Sequence, residues 1–430
     1  MVTLHFASVR PAHGRATLFT RYFFAAIAAL PIAATADETP LSLLDAVKQA
    51  ESHAPNIDAR QAALTSADRA VTPAGQLPDP QLVVGIDNLP VDTGDAWSLS
   101  RDFMTMRKVG VMQTFPRKEK RELRMQRAQA MASREGAMLT TERLTTREAV
   151  ARAWVMRAAA EQRLALLQSL RPRIEAQIAA ATAALTAGRG SAADAIAARS
   201  ERAMLEDRIS EAERNVEETR ADLVRWLPDI GNRPLGEAPD WRELGTDPDT
   251  LLHNIAHHRE LLAYDAAEQA ATADVALARA DKHPDWSLEF AYAQRGPRFS
   301  NMISIEARID LPLFAGRRQD PTIASKQALV EQIADEREAA RRMHTAELQK
   351  TLSAWRSANE RVQRYEKELL PLADDRADAA LAAYRGGSGN LQASLAALDN
   401  TIEQRIAYTD LVSTLGQSWA TLYFAFPKEH

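Results

Sequence analysis

The sequence of 430 residues contains no cysteine. Disulfides, thiol catalysis, thiolate metal sites and lipidation of an N-terminal Cys are excluded together, so stability must come from packing or assembly. Basic charge is not in excess either: 53 Lys and Arg against 58 Asp and Glu give a net charge of −5. No patch of Lys and Arg interleaved with aromatics stands out, which argues against a nucleic-acid partner. Catalytic motifs are missing as well. There is no phosphate-binding Gly-rich loop, no HExxH and no Cys nucleophile, and a Ser–His–Asp site would have no recognisable motif around it. Neither an enzyme nor a bound cofactor is expected. Beyond residue 36 no apolar stretch reaches the roughly 20 residues of a membrane-spanning helix, so any membrane crossing must be made by strands.

What is present begins with an apolar run, Tyr22 to Thr35, interrupted by Pro31. Arg10, Arg15 and Arg21 precede it without any acid before Asp37, and Ala34-Thr35-Ala36 supplies a small-x-small cleavage pattern. That combination reads as a secretory signal spanning 1–36, the other reading being an uncleaved anchor.

The rest of the chain repeats itself. The segment 41–71 is echoed by 249–280, with Leu43-Leu44 answered by Leu251-Leu252. LPDPQLVVG (77–85) is echoed by KHPDWSLEF (282–290), QTFP (113–116) by DLPLF (310–314), and the helix around Trp154 by that around Trp355. Pro172, Gly188 and Gly190 recur as Pro371, Gly387 and Gly389, each 199 positions later. Five echoes in one order imply a duplicated unit, residues 37–226 and 249–424, joined by a Pro/Gly/Asp-rich linker loop at 227–248 and followed by a tail at 425–430.

Each half reads as helix, two strands, long helix, tight turn and returning helix. Residues 117 to 187 carry apolar side chains at helical spacing through Val150, Trp154 and Leu164, Leu167, Leu170. One uninterrupted helix of that length would be on the order of 100 Å long. Glycine turns at about 186–192 and 385–391 then send the chain back, giving helical hairpins over 117–226 and 318–424. The strands are expected at about 80–90, 106–115, 284–294 and 301–313. WSLEFAYAQ (286–294) sets Trp286, Leu288, Phe290 and Tyr292 against Ser287, Glu289, Ala291 and Ala293. ISIEARIDLPL (303–313) sets Ile303, Ile305 and Ile309 against Ser304, Glu306, Arg308 and Asp310. These segments approach the 9–11 residues of a membrane-crossing strand. Four strands cannot close a barrel and an open sheet edge is not viable in lipid. Either the sheet is soluble, on a periplasmic coiled-coil scaffold or adaptor, or several chains share one barrel.

In this layout, in LPLFAGRR (311–318), and in the turns LTAGRGSAADAI (185–196) and YRGGSGNLQASL (384–395), the chain resembles the TolC family of outer membrane channels. The resemblance covers about 41 to 424, and MTMRKVGVMQTFPRKEKRELR (104–124) is most similar to its CusC and CzcC heavy-metal-efflux branch. It implies a mainly α fold with a transmembrane β-barrel: a homotrimer whose twelve strands form one shared barrel, continued by a periplasmic α-helical barrel of coiled-coil hairpins. It further implies an outer membrane location in a Gram-negative bacterium, and conduction of substrate from an inner-membrane RND transporter through a periplasmic adaptor. Heavy-metal cations such as copper, silver, zinc or cobalt are the cargo of that branch; multidrug or type I protein export is the alternative within the fold.

By the same resemblance Gly188, Gly190, Ser191, Gly387, Gly389 and Asn390 form tips where the adaptor docks. Their plain reading as helix-reversing turns is compatible with that. Asp194 and Asp399 are candidate tunnel-mouth acids, since acidic rings filter cations in pores, or else belong to solvated helix surfaces. His253 and His257, with His258 beside them, would share a helix face if helical, and Met104, Met106 and Met112 offer thioether sulfurs. Ordinary surface histidines and packing methionines are the default for both groups.

Overall fold

A computed structural model describes residues 39–427 apart from Thr93; the expected signal segment 1–36 and residues 428–430 of the tail lie outside the described residues. Ser42, whose hydroxyl accepts from the Asp45 amide at 3.1 Å, starts helix α1, Leu43–His53. Pro55 at the first position of α2, Pro55–Ala74, costs nothing there because that amide has no helical partner. Two strands follow, β1 Gln81–Asp87 and β2 Met106–Phe115. Next come α3 Lys118–Ser169, α4 Arg171–Thr186 and α5 Ala192–Trp226.

The second half runs through a short helix α6, Pro248–His253, and α7, Leu262–Ala280, to strands β3 Trp286–Gln294 and β4 Met302–Ile309. It then continues as α8 Gln319–Arg364, a π-helical turn Tyr365–Leu369, α9 Leu370–Arg385 and α10 Leu391–Tyr423.

The α3 helix has 52 residues, no Pro and a single Gly, and spans about 78 Å at 1.5 Å per residue. It is not the unbroken rod that its composition suggests, because Leu170 separates it from α4. Pro172 has no amide to give the carbonyl four residues back, and its ring crowds that turn. Ahead of Pro371 the chain solves the same problem with the π-helical turn, which lets a helix absorb an extra residue.

Sheet order is β1-β2-β3-β4, antiparallel throughout. Residues facing each other across a ladder share a face. Leu82, Val111, Phe290 and Ile305 therefore form one cross-strand row, and Val84, Val109, Tyr292 and Ile303 the next.

The main core lies where α1, α3, α8 and α10 meet. Residues 227–248 are not a loose connection but a strap threaded through this waist. Leu41 pairs with Leu235 in a parallel bridge. Three indoles clasp the strap and its neighbour: Trp154 donates to the Leu41 carbonyl (3.0 Å), Trp355 to that of Trp241 (2.9 Å) and Trp419 to that of Glu243 (2.7 Å). Arg157, almost fully buried, donates to the carbonyls of Gly231 (2.6 Å) and Arg233 (2.9 Å). A segment too rich in Pro and Gly to form its own ladder thus has its backbone oxygens satisfied by side chains, as burial requires. Beyond the waist, Leu170, Ile174, Leu205, Ile209, Leu398 and Ile402 join the two hairpins. A buried pair, Gln177 and Ser394, links α4 to α10 at 2.8 Å.

Candidate functional site

The sheet is inside-out by the standards of a soluble domain. One face carries Leu82, Val84, Val111, Phe290, Ile303 and Ile305, all exposed; Leu82 shows 73% of its surface and Ile305 71%. Opposite them Gly110, Ala291 and Ala293 are buried, and Glu289 is 2% exposed. Lys108 and Arg308 both reach Glu289, the latter at 2.9 Å, while Arg308 also holds Glu306 at 2.7 Å. This arrangement neutralises the like charges of Glu289 and Glu306, which face each other across the β3–β4 ladder. The alternation in 303–311 marked the polar face. Lys108 was missed, although its even spacing from Gly110 and Met112 places it there.

At the far end of the helices two reversing turns have matching geometry. Gly188 adopts φ +71° and Gly387 φ +78°, a region other residues enter at a steric cost. The amides of Arg189 and Gly190 return to the Ala184 carbonyl (2.9 and 3.0 Å), and those of Ser388 and Gly389 to that of Ala383 (both 3.0 Å). A Cβ on Gly190 or Gly389 would lie 3.1 Å from the methyl of Ala184 or Ala383, so a side chain at either position would have to push its neighbour aside. Ser191 caps α5 in a reciprocal box with Asp194, and Asn390 caps α10 by accepting from the Ala393 amide at 2.7 Å. The turns are neighbours: the Arg189 guanidinium lies 3.5 Å from where a Gly387 Cβ would be.

An exposed apolar sheet on helices of this length has a known counterpart. The fold is similar to that of the outer-membrane channel OprN (16% identity, TM-score 0.73, 89% of each chain covered). CusC, described in terms of transmembrane channel formation, matches with 15% identity and TM-score 0.74 over 89% of this chain and 91% of that one. The outer membrane protein VceC from Vibrio cholerae matches with 16% identity and TM-score 0.73 over 89% and 96%. The chain has the outer membrane channel fold. The resemblance to TolC-family channels drawn from the sequence therefore has a structural footing. No family model matches the sequence, and comparison with curated proteins finds no match.

Within the chain each candidate acid has partners of its own. The Asp194 carboxylate accepts from the Ser191 amide (3.0 Å) and hydroxyl (2.8 Å), bonds that hold it below the usual carboxylate range. It serves as a helix cap. Asp399 pairs with Arg208 at 3.1 Å, and the same guanidinium reaches Glu403 at 3.2 Å. Nearby Glu201 is pushed up, first by burial and then by the charge of Asp399.

The histidine arrangement also departs from expectation. His253 closes the six-residue α6 and His257 ends a separate 3₁₀ turn, so the two share no α-helical face. Asn254, at φ −90° and ψ 15°, breaks the helix between them. His258 is the buried one, stacked on His344 at 4.8 Å, and burial with the neighbouring His344 and Arg259 lowers its pKa to about 4. Met104 lies exposed in the β1–β2 connection, Met106 opens β2, and the Met112 sulfur faces the Arg308 guanidinium at 3.2 Å. Met112 is about 20 Å along the strand from Met106. Among the described residues no group of three or more His, Asp or Glu is placed to hold a metal ion.

Proposed function

We propose that this protein is the exit duct of a tripartite efflux system in the outer membrane of a Gram-negative bacterium. The observation that carries the reading is the inverted sheet: an exposed apolar face over a charged one, in a chain with the outer membrane channel fold. A soluble scaffold would leave those rows of Val, Ile, Leu and Phe in water with no compensating burial. Strands β1 and β4 each have one unpaired edge. Lipid tolerates neither, and pairing β4 of one copy with β1 of the next removes both. Three copies supply twelve strands, an apolar outer wall and a polar lumen lined by Lys108, Glu289, Glu306 and Arg308.

The long helices then extend into the periplasm as a tunnel, two tips per copy. Gly188, Gly190 and Ser191 with Gly387, Gly389 and Asn390 form rigid, side-chain-poor turns suited to close approach by an adaptor linked to an inner-membrane RND pump. The parallel element order and the matched turns support an ancestral duplication of residues 37–226 and 249–424. Heavy-metal cations are the cargo we favour, on the likeness of residues 104–124 to the metal-efflux branch. Such ions are read as passing through rather than resting, in keeping with His253 and His257 sharing no α-helical face.

The test is fractionation of cells expressing the full chain, followed by mass determination in mild detergent. A trimer in the outer membrane supports the duct, whereas a soluble periplasmic species sinks it. Growth of a deletion strain on copper, silver, zinc, cobalt and drugs then addresses cargo: unchanged metal tolerance with lost drug tolerance removes the metal assignment.

A further inference from the structure

The connection between β1 and β2, residues 88–105, lies at the end of the sheet away from the helices, because α3 leaves from the Phe115 end of β2. Its described residues, 88–92 and 94–105, are held by bonds of their own. The Trp97 amide donates to the Pro90 carbonyl (2.8 Å), Asp102 accepts from the amides of Met104 (2.7 Å) and Thr105 (3.1 Å), and the Thr105 hydroxyl returns to the Asn88 carbonyl (3.0 Å). The β3–β4 turn buttresses it, with Arg295 donating to the Phe103 carbonyl at 3.2 Å.

Yet this fixed loop turns its large apolar side chains outward: Val91, Trp97, Leu99 and Phe103 are all exposed, Trp97 by 71%. Trp97 also holds φ +59°, a region that a bulky residue enters only under strain. Among the described residues the strain is offset only by the single Trp97–Pro90 backbone bond, and most of the side chain stays exposed. Strain of this kind persists where the surroundings reward it, and the reward here must lie outside the chain.

Distances along the sheet indicate where. Phe115 and Trp286 stack at 4.4 Å at the helix end of the sheet. From Phe115 to Met106 strand β2 covers about 30 Å, and a tilt of 35–45° reduces this to roughly 21–25 Å of height, the thickness of the apolar band of an outer-membrane barrel. The loop aromatics thus begin one membrane thickness from the Phe115–Trp286 stack, and the apolar rows of the sheet run between the two levels. We propose that the 88–105 loop is a membrane anchor: Trp97, with Leu99 and Phe103, enters the lipid headgroup and upper acyl layer and sets the depth of the barrel. This rests on the outer membrane reading, and the occupant is membrane lipid.

The experiment reconstitutes the full chain into phosphatidylcholine vesicles brominated near the headgroup end of the acyl chains. It reads tryptophan fluorescence of wild type, Trp97→Asn and Trp286→Phe. Asn tolerates positive φ, so the loop backbone is retained while the ring is lost. The emission lost in Trp97→Asn, which is the Trp97 component, should be quenched at least about twofold by the brominated lipid and little by aqueous iodide, as expected for an interfacial indole. Quenching of the Trp286 component with none of the Trp97 component would overturn the anchor and leave the duct intact. Quenching of neither would remove the duct reading and the anchor with it. A Trp97 component shielded from both lipid and iodide would mean that the ring packs against protein, and the anchor would again be wrong.

Discussion

Replacing Ile305 with Lys separates the two environments open to the sheet by a clear margin. Ile305 occupies the row Leu82, Val111, Phe290, Ile305, midway along β2, and is 71% exposed within the chain. In water a lysine there removes exposed apolar surface, and the change should stay within about 0.5 kcal/mol. In lipid it places an ammonium near the bilayer midplane at about 2–4 kcal/mol per copy, or roughly 6–12 kcal/mol for three copies. Ser304→Lys is the matched control, one residue away and cross-strand from Ala291, on the face where a lysine meets the charged side of the sheet. Both variants would be recovered from membranes, and the temperature at which the detergent-extracted oligomer dissociates would be read by gel. We expect a loss of assembly or a large drop for Ile305→Lys and a small change for Ser304→Lys. Equal behaviour of the two, or a rise in soluble Ile305→Lys protein at no cost in stability, would refute the lipid-facing assignment.

Further outcomes follow from the waist, the tips and the buried His258. Trp154 is fully buried, so Trp154→Ala should destabilise by about 3–5 kcal/mol. Trp154→Phe removes the indole donor while the Leu41 carbonyl keeps its bond from the Gly236 amide (2.9 Å), and should cost only about 0.5–1.5 kcal/mol, both read as shifts in urea midpoint. Gly387→Ala forces a side chain into φ +78° at about 1–2 kcal/mol, and hydrogen exchange should show faster opening confined to residues near the turn. His258 is held neutral with a pKa near 4 against 6.5 when unfolded. The unfolded chain therefore takes up the proton first, and stability is full above pH 6.5 and declines towards pH 4, by at most about 3 kcal/mol. His258→Phe should flatten melting temperature across that window; an unchanged slope would place the titration elsewhere.

The elements most legible in the sequence were those set by local periodicity. Alternation at spacing two located the strands and their two faces, and glycines at matched positions located both turns, because positive φ leaves glycine few substitutes. The breaks before Pro172 and Pro371 were harder to read. A proline within the first turn of a following helix and one inside a continuous helix look alike until the packing around Leu170 is known. The strap at 227–248 was opaque for a different reason. Its order comes from indoles of Trp154, Trp355 and Trp419 far away in the chain, and composition records only that it forms no helix or strand of its own. Asp194 was legible as an acid near a turn, but its role as a cap depends on the reciprocal bonds with Ser191. His253 and His257 looked like a helical pair because the Asn254 interruption leaves no mark on their spacing.

The two unpaired sheet edges carry a genetic consequence. If each copy contributes four strands to one closed wall, a copy with a damaged strand edge is not merely inactive but is built into walls alongside sound copies. With equal expression of normal and edge-damaged chains and random mixing in a three-fold ring, only about one assembly in eight would be wholly normal. Alleles altered on the β1 or β4 edge should therefore be dominant over the normal gene, while alleles that prevent secretion or destroy the fold outright should be recessive.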